Sequence, residues 1–454
     1  MSMRRFFVVA ALAAPVAMAV ACTLGGLDAD SAGWGQRDGA AAEASGDGCV
    51  AKCAPGVCGD DGCGGTCGCG TGEGCVDAKC FPCAATWHTS NLSNALSFDA
   101  KRNYIYTSTP VDGGAAFATV NACTGQVITA RTPAKSTAGI DPIPSTNELV
   151  QFGEHLYTRS YCSYALDSGT CVFRYDAVTN TVDTRGPIAM TDPNDELWNL
   201  TVTSSGKVFG SGKYAAQGVA RIVPMTPDLV NCGGTQVSAG TRGGAIGASG
   251  DDVYQVLYTG TAGQLRLAHF VGSSCATTNP CTCAPADVSP TLTLPIANPT
   301  PEPGTYFLQV QDGIVYVVGV QSITTGSLMG AGFVAAFDTK ANKWTPAYVY
   351  TPSAYAKLDG LLRSSVTPDG KLLYVVGAKA AFSPGSTGVL LRFDLPFPSG
   401  QAPVPNGEIS VAGLTIVWDV KVASDAVYVA GAETTTPGVG PQGISKCSLA
   451  LACN

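Results

Sequence analysis

Nineteen cysteines are the residues of this sequence best placed to do chemistry, and the densest group is CGDDGCGGTCGCG at residues 58–70. Thiols at this density form either disulfides or a metal site. Zinc sites favour paired CxxC groups, but only Cys80 and Cys83 have that spacing, and no histidine lies within residues 49–83. Residues 49–83 are therefore predicted to form a small disulfide-rich module, with metal binding as the alternative.

The cysteine count also predicts a bond between this module and the rest of the chain. Apart from Cys22, nine cysteines lie in residues 49–83 and nine lie beyond them. Because nine is odd, full pairing requires a bridge between the two groups. Cys83 and Cys123 flank the boundary and are the predicted pair. The eighteen disulfide candidates are Cys49, Cys53, Cys58, Cys63, Cys67, Cys69, Cys75, Cys80, Cys83, Cys123, Cys162, Cys171, Cys232, Cys275, Cys281, Cys283, Cys447 and Cys453.

Two of the later pairs are close in the sequence. Cys162 and Cys171 flank SYALDSGT, which is typical of a hairpin, and Cys447 and Cys453 flank SLALA. Each pair would close a loop of about ten residues or fewer, which the chain-entropy account values at about 2 to 3 kcal/mol.

The other candidates for catalysis or metal binding form no recognisable motif. His88, His155 and His269 are isolated from one another and show no Ser/His/Asp order. His155 and His269 lie in strand-like segments, where a packed or surface imidazole is the favoured interpretation. The sequence predicts no catalytic residue and no cofactor.

The densest acidic loop is TDPNDELW at residues 191–198. Its residues Asp192, Asp195 and Glu196 could ligate calcium through carboxylate oxygens. Their spacing matches no established calcium loop, so a solvated turn is the favoured interpretation and no metal site is predicted.

The chain begins with a segment typical of an export signal, predicted over residues 1–21. Arg4 and Arg5 precede an apolar run from Phe6 to Ala21. A transmembrane helix is the alternative, but the run is shorter than the roughly 20 residues that span a bilayer. Exported compartments are oxidising, which agrees with disulfide formation.

The residues AVAC that end at Cys22 resemble the lipobox of bacterial lipoproteins. This resemblance implies that the signal is cleaved before Cys22 and that its thiol carries a lipid, and Thr23 after it implies the outer membrane. Cleavage by an ordinary signal peptidase near Ala21 is the alternative. Residues 22–48 are rich in Gly, Ala and Asp, so they are predicted to be the lipid anchor and a flexible linker. We expect the protein in the cell envelope.

The body of the chain contains a repeat, in which an aliphatic residue is followed at once by an aromatic one. The mean spacing is (428 − 106)/6, or about 54 residues, and such a period indicates a solenoid, propeller or array. The seven pairs are Ile105-Tyr106, Leu156-Tyr157, Val208-Phe209, Val253-Tyr254, Val315-Tyr316, Leu373-Tyr374 and Val427-Tyr428.

The clearest repeat unit spans residues 361–397 and reads as three strands separated by turns rich in Gly, Pro, Asp and Ser. Helical periodicity is missing, and charged residues make up only 13% of the chain. The predicted fold is therefore all-β, with a seven-bladed β-propeller over residues 84–454.

Three stretches carry family resemblances. VTPDGKLLYVVG at residues 366–377 resembles the repeat of YVTN/lactonase-type propellers, and YDAVTNTV and FDTKANKW resemble the kelch turn. These resemblances imply the propeller fold. The cysteine-rich stretch is similar to a Cys/Gly-rich module of exported bacterial proteins and to small chitin-binding knots, but Phe81 is the only aromatic residue in residues 49–83, so sugar binding by the module is not predicted.

The function is predicted only in outline. A formal charge of −8 argues against nucleic acid and anionic lipid as partners. We expect a propeller that binds or scaffolds a protein or glycan partner. We also expect the chain to be attached to a membrane through its lipid. The alternative is an exported hydrolase or lyase with carboxylates from distant blades at the central channel. Four segments, at residues 320–332, 378–388, 432–443 and 273–304, are expected to crowd one sector of one face as the recognition surface.

Overall fold

The computed structural model describes residues 59–60, 66–67, 73–76, 79–92, 95–100, 102–111, 114–131, 149–164, 167–177, 179, 181–182, 196–214, 218–230, 234–278, 280–299, 305–323, 330–350, 358–381, 385–434 and 441–453. The fold is all-β, as predicted, and its main body is a seven-bladed propeller. Two short strand pairs precede the propeller: β1 (Gly59–Asp60) with β2 (Thr66–Cys67), and β3 (Glu73–Val76) with β4 (Lys79–Pro82).

Each blade is an antiparallel sheet in which the chain runs from the innermost strand outwards. Blades 1 to 3 consist of β6 (Ser97–Asp99), β7 (Tyr104–Val111), β8 (Gly114–Asn121) and β9 (Val127–Arg131); β10 (Leu149–Phe152), β11 (His155–Tyr164), β12 (Asp167–Asp176) and β13 (Thr181–Val182); and β14 (Glu196–Val202), β15 (Val208–Tyr214), β16 (Val219–Met225) and β17 (Thr235–Val237).

Blades 4 and 5 each have two short outer strands paired with the third strand. Blade 4 consists of β18 (Arg242–Ser249), β19 (Asp252–Tyr258), β20 (Gln264–Val271), β21 (Asp287–Val288) and β22 (Leu292–Thr293). Blade 5 consists of β23 (Thr305–Gln311), β24 (Ile314–Ser322), β25 (Gly330–Asp338), β26 (Lys343–Trp344) and β27 (Tyr348–Tyr350). A 3-10 turn at Gly272–Ser274 follows β20.

Blade 6 is formed by β28 (Leu358–Val366), β29 (Leu372–Ala381), β30 (Thr387–Asp394) and β31 (Gly407–Ser410). Blade 7 is formed by β32 (Ile416–Val422), β33 (Ala426–Ala432), β34 (Gln442–Ser448) and, as its outermost strand, β5 (Trp87–Ser90). The first strand of the body thus pairs with the last one, and this pairing closes the ring.

The two faces of the ring follow from this threading. The innermost strands begin on what we call the upper face and end on the lower face. Connections between second and third strands, and between successive blades, therefore lie on the upper face. Connections between first and second strands, and between third and fourth strands, lie on the lower face.

The seven aliphatic–aromatic pairs all lie at or near the start of the second strand of a blade, and all fourteen side chains are buried. Neighbouring residues of a strand point to opposite faces of its sheet. Val315 accordingly packs in the core between blades 4 and 5, whereas Tyr316 packs in the core between blades 5 and 6. Each pair therefore supplies one residue to each of two inter-blade cores, which explains the repeat.

Tight turns fix the register of these strands. Gln311 and Ile314 pair across the two-residue turn of Asp312 and Gly313, whose φ angles are 51° and 79°. Two positive φ values are required by a type I′ hairpin, and Asp-Gly is a preferred sequence for it.

Three disulfides lie within the described residues. Cys83 is bonded to Cys123, the link that the odd cysteine counts predict, and Cys447 is bonded to Cys453. The third bond, between Cys275 and Cys283, was not singled out from the sequence. Cys80 and Cys281 are disulfide-bonded as well.

The remaining cysteine predictions are only partly described. Cys162 and Cys171 lie in the predicted hairpin, opposite Gly169 and Ser160 respectively, and their side chains are outside the described part of the chain. Nothing is described of Cys22. In the described ranges, no helix has the length and apolar character needed to cross a bilayer.

Candidate functional site

A histidine, a glutamate and two serines meet near the upper rim of blade 7. Nδ1 of His88 lies 2.8 Å from Oγ of Ser445. Nε2 of His88 lies 3.1 Å from Oε1 of Glu433 and 3.3 Å from Oγ of Ser90. Because His88 is in β5 and the other two main partners are in or beside β33 and β34, ring closure brings this cluster together.

The strand register and one glycine make the cluster possible. Ser445 lies directly opposite His88 across the β34–β5 pair, and Gly443 lies opposite Ser90. A Cβ atom at Gly443 would lie 2.4 Å from Oε1 of Glu433 and 2.6 Å from Cε1 of His88. A larger residue at position 443 would therefore displace the contact between His88 and Glu433.

The distances resemble those of a nucleophile, a base and an acid, but the chemistry does not fit. Ser445 has no exposed surface, so a substrate cannot reach its hydroxyl. Ser90 is exposed. The carboxylate of Glu433 accepts a hydrogen bond from the Nε2–H of His88, which leaves that nitrogen no lone pair for the proton of Ser90. The cluster therefore secures β5 instead of forming a nucleophilic site.

The innermost strands carry a buried ion pair. Nη1 of Arg363 in blade 6 lies 2.8 Å from Oδ2 of Asp419 in blade 7, and their side chains are 2% and 1% exposed. The same oxygen accepts a hydrogen bond of 2.8 Å from the backbone N–H of Leu96, which precedes blade 1. The guanidinium lies 5.3 Å from the ring centroid of Phe307 in blade 5. This ion pair thus contacts blades 5, 6 and 7 and the segment that leads into blade 1.

An acid–base site at the central channel would need carboxylates on the innermost strands of the blades. Where the side chains of these strands are described, the carboxylates are Asp419 and Asp99. Asp99 accepts a hydrogen bond of 2.8 Å from Arg102 and one of 3.2 Å from Tyr106, and it is buried like Asp419. Both carboxylates are therefore held by cations. Burial and the nearby charge of Asp99 raise the pKa of Tyr106.

The interior between the inner parts of the blades is polar. Gln255 of blade 4 donates a hydrogen bond of 2.7 Å to Ser211 of blade 3, and both are fully buried. Several buried oxygens have no hydrogen-bond partner within the described part: Asn199 Oδ1, Thr201 Oγ1, Gln255 Oε1, Gln309 Oε1 and Ser364 Oγ. Protein atoms enclose each of them, so a ligand could reach them only if the blades moved apart.

His269 is packed among other side chains, as the sequence predicts. Its Nε2 lies 2.8 Å from Oδ1 of Asp252, its Nδ1 lies 3.4 Å from Oδ2 of Asp287, and its ring stacks on Tyr254. Because the two carboxylates approach opposite edges of the ring, they cannot bind one metal ion together with it. Burial raises the pKa of Tyr254 to about 12.

The other predicted candidates do not converge. His155 is the first residue of β11, and its buried Nδ1 has no partner among the described residues. Asp192 and Asp195 lie outside the described residues, and Glu196 is the first residue of β14. The described side chains include no group of three or more His, Cys, Asp or Glu that could hold a metal ion.

The expected recognition sector is placed only in part. The strand ends that flank residues 323–329, 382–386 and 433–441 lie on the upper face, as predicted. The segment at 273–304 was wrongly assigned to that face as a whole. Its cysteine-containing part follows the lower end of β20 and returns to pair Asp287 with His269, so it lies on the lower face. The cause is that this segment includes the outer strands of blade 4.

No protein-family model matches this chain, and none of the curated proteins does. Solved structures do resemble it. A chain of hydrazine synthase from Kuenenia stuttgartiensis has a TM-score of 0.51 and 10% identity, over 79% of this chain and 96% of that one. A structure described as U3-55K has a TM-score of 0.51 and 8% identity, over 80% of this chain and 98% of that one. Identities this low show the propeller fold alone.

Proposed function

We propose that this chain is an exported cell-envelope lipoprotein, anchored through Cys22 to the outer membrane, whose propeller binds or scaffolds a protein or glycan partner. The upper face of blades 5 to 7 is the proposed recognition surface. Disulfides and the export-like N-terminus support the location, and the lengths of the connections in blades 5 and 7 support the surface.

The observation that carries the proposal is the change in connection length around the ring. In blades 1 and 2, only two residues separate the second strand from the third, at positions 112–113 and 165–166. The corresponding connections of blades 5 and 7 run over 323–329 and 433–441. Long connections in a compact domain are often functional, and the Ser, Thr and Gly content of these segments suits hydrogen bonding to a polar surface.

Capture from envelope material tests this proposal. The purified, oxidised full chain would be immobilised and exposed to solubilised envelope proteins and glycans. In a variant, Asn-Gly would replace residues 324–329, 382–385 and 435–440, so that the buried Ile323 and Ser386 and the His88 partner Glu433 all remain. We expect the variant to keep its melting temperature and to lose capture at least tenfold. Val404→Ser is the control, because Val404 is 76% exposed on the lower face. Undiminished capture by the loop variant would overturn the proposed surface.

The anchor has its own test. Cys22→Ala should release the protein from membranes into the soluble fraction, and mass spectrometry of the wild type should find an acylated Cys22. A variant that still fractionates with membranes, together with an unacylated wild type, would contradict the lipoprotein assignment without touching the recognition surface.

An exported hydrolase or lyase is the second candidate. Glu196 and Asp359 stand at the upper ends of the innermost strands of blades 3 and 6, which is where carboxylates could act at the channel mouth. If the chain cleaves polysaccharides or esters, Glu196→Gln and Asp359→Asn should each lower the rate at least a hundredfold without loss of stability. Partner capture with no turnover of a substrate panel favours the binding function.

A further inference from the structure

The segment at residues 83–92, which we call the closing strap, joins the N-terminal module to the ring. Its strand β5 is antiparallel to β34, with Trp87 opposite Lys446 near the lower face and Ser90 opposite Gly443 near the upper face. The chain enters β5 at the lower end, and β34 also leaves towards its C-terminus at that end. A force that separates the two chain ends would therefore act on one end of the strand pair and break its hydrogen bonds one after another.

Lys446 and Trp87 make the noncovalent contacts at the lower end of the strap, where Trp87 packs in the core between blades 7 and 1. Nζ of Lys446 donates a hydrogen bond of 3.0 Å to the carbonyl of Ala84, and Nε1 of Trp87 donates one of 3.1 Å to the carbonyl of Ala122. The cluster around His88 lies further along the strand. Under tension it would be reached only after these first contacts had broken.

The disulfide between Cys83 and Cys123 precedes all of these contacts. Cys123 lies in the lower turn between β8 and β9 of blade 1, and this turn also holds Thr89 through a 2.7 Å hydrogen bond to the carbonyl of Gly125. Tension on residue 82 therefore passes through the sulfur atoms into blade 1. There it meets the packed core between blades 7 and 1, whose contacts must yield together.

We propose that the bond between Cys83 and Cys123 is a tension-carrying staple, which keeps the ring closed when the N-terminal tether is pulled. A membrane-anchored envelope protein that holds a partner would experience such a pull. The inference rests on the proposed function only for the origin of the force, and the experiment supplies the force itself.

The test is single-molecule extension of the oxidised full chain, held by handles at its two ends. In the double variant Cys83→Ser with Cys123→Ser, we expect an early, low-force event as the strap peels away. Freeing residues 83–96 releases 13 residue intervals, a contour length of about 45 Å at roughly 3.5 Å each, and the gain in extension is this length less the distance that the folded strap already spans. The wild type should lack this event. The double variant Cys275→Ser with Cys283→Ser, which removes a disulfide far from the strap, should behave like the wild type.

A second arrangement applies the force at the exposed Ala85, next to β5. In the oxidised, otherwise unaltered chain the staple is only two residue intervals away at Cys83, so the strap can follow the handle by about 7 Å before blade 1 takes the load. With Cys83→Ser and Cys123→Ser, the same handle should free the 11 intervals to residue 96, a contour length of about 40 Å. The proposal is overturned if the strap of the double variant stays in place in both arrangements, or if the unaltered chain shows the long early event in either one. Loss of partner capture would not affect these outcomes.

Discussion

The indole ring of Trp87 lies directly over Gly125. A Cβ atom at Gly125 would lie 2.6 Å from Cδ2 of Trp87, and Gly125 has a φ of +76°. The turn of blade 1 thus approaches the closing strap as closely as backbone can approach an aromatic ring. Absence of a side chain at position 125 is therefore a condition for ring closure.

Gly125→Ala should destabilise the protein through both strain and collision. The matched control is Gly153→Ala, because Gly153 has a φ of +57° and no atom within 4 Å of its Cβ position. We expect the control to lower the free energy of unfolding by about 1 kcal/mol, and Gly125→Ala to lower it by about 2 kcal/mol more. Urea denaturation measures both. Equal losses would show that the indole moves aside without cost.

Because Arg363 and Asp419 form a buried ion pair, we expect the effects of substituting each of them on the free energy of unfolding to be strongly non-additive. Arg363→Met leaves a buried carboxylate without its cation and should lower the free energy of unfolding by about 3 to 5 kcal/mol. Adding Asp419→Asn removes the uncompensated charge but keeps an acceptor for the N–H of Leu96. The double variant should therefore be more stable than Arg363→Met alone, as measured by chemical denaturation. A double variant less stable than the single one would contradict this account.

The buried position of Lys446 should lower the free energy of unfolding, to a degree that depends on pH. Burial lowers its pKa below the ordinary value of 10.5, so the folded state disfavours the ammonium form. The penalty is present at neutral pH and disappears as pH rises from the folded pKa to about 10.5, where the unfolded chain also loses its proton. Lys446→Met should raise the free energy of unfolding at pH 7, less the contribution of the lost hydrogen bond to the carbonyl of Ala84. Its advantage should shrink by pH 10.5; an advantage independent of pH would point to packing instead.

Tyr258 should have the opposite effect at alkaline pH, where it should make the free energy of unfolding fall as pH rises. Burial raises its pKa to about 12 from an ordinary 10.0, although the charge of Arg242 lowers it in part. Between these two values the unfolded chain ionises while the folded one does not, so stability falls as pH rises. Tyr258→Phe should make this fall shallower, by up to about 1.4 kcal/mol per pH unit. Denaturation curves from pH 9 to 12 measure it, and unchanged slopes would contradict the assignment.

The sequence predicted what rests on local or countable signals. The aliphatic–aromatic pairs recur because each second strand needs one residue for each neighbouring blade, so their number gave seven blades. Parity predicted a bridge between the two cysteine groups, and the position of Cys83 and Cys123 on either side of the boundary suggested the pair that the structure shows.

Contacts between distant residues escaped prediction. His88 is 357 positions from Ser445, and only the β34–β5 register shows that they are opposite each other. The pairing of Arg363 with Asp419 depends on register shifts in β28 and β32, beside each of these residues, which leave no distinct residue pattern. The misplaced segment at 273–304 has the same origin, since two-residue outer strands are too short to be recognised.

The order in which the strands are synthesised limits when the ring can close, because its closing strand pair joins the two ends of the propeller. β5 belongs to the first part of the body, whereas its partner β34 lies at residues 442–448, so β5 cannot pair with β34 until nearly the whole chain has been made. Cys83 and Cys123 are only 40 positions apart, and they become available for oxidation once blade 1 exists. Early oxidation would keep the waiting strand beside blade 1, so that β34 meets a strand already held at the edge of the ring. The first strand of the propeller is thus the last to join a sheet.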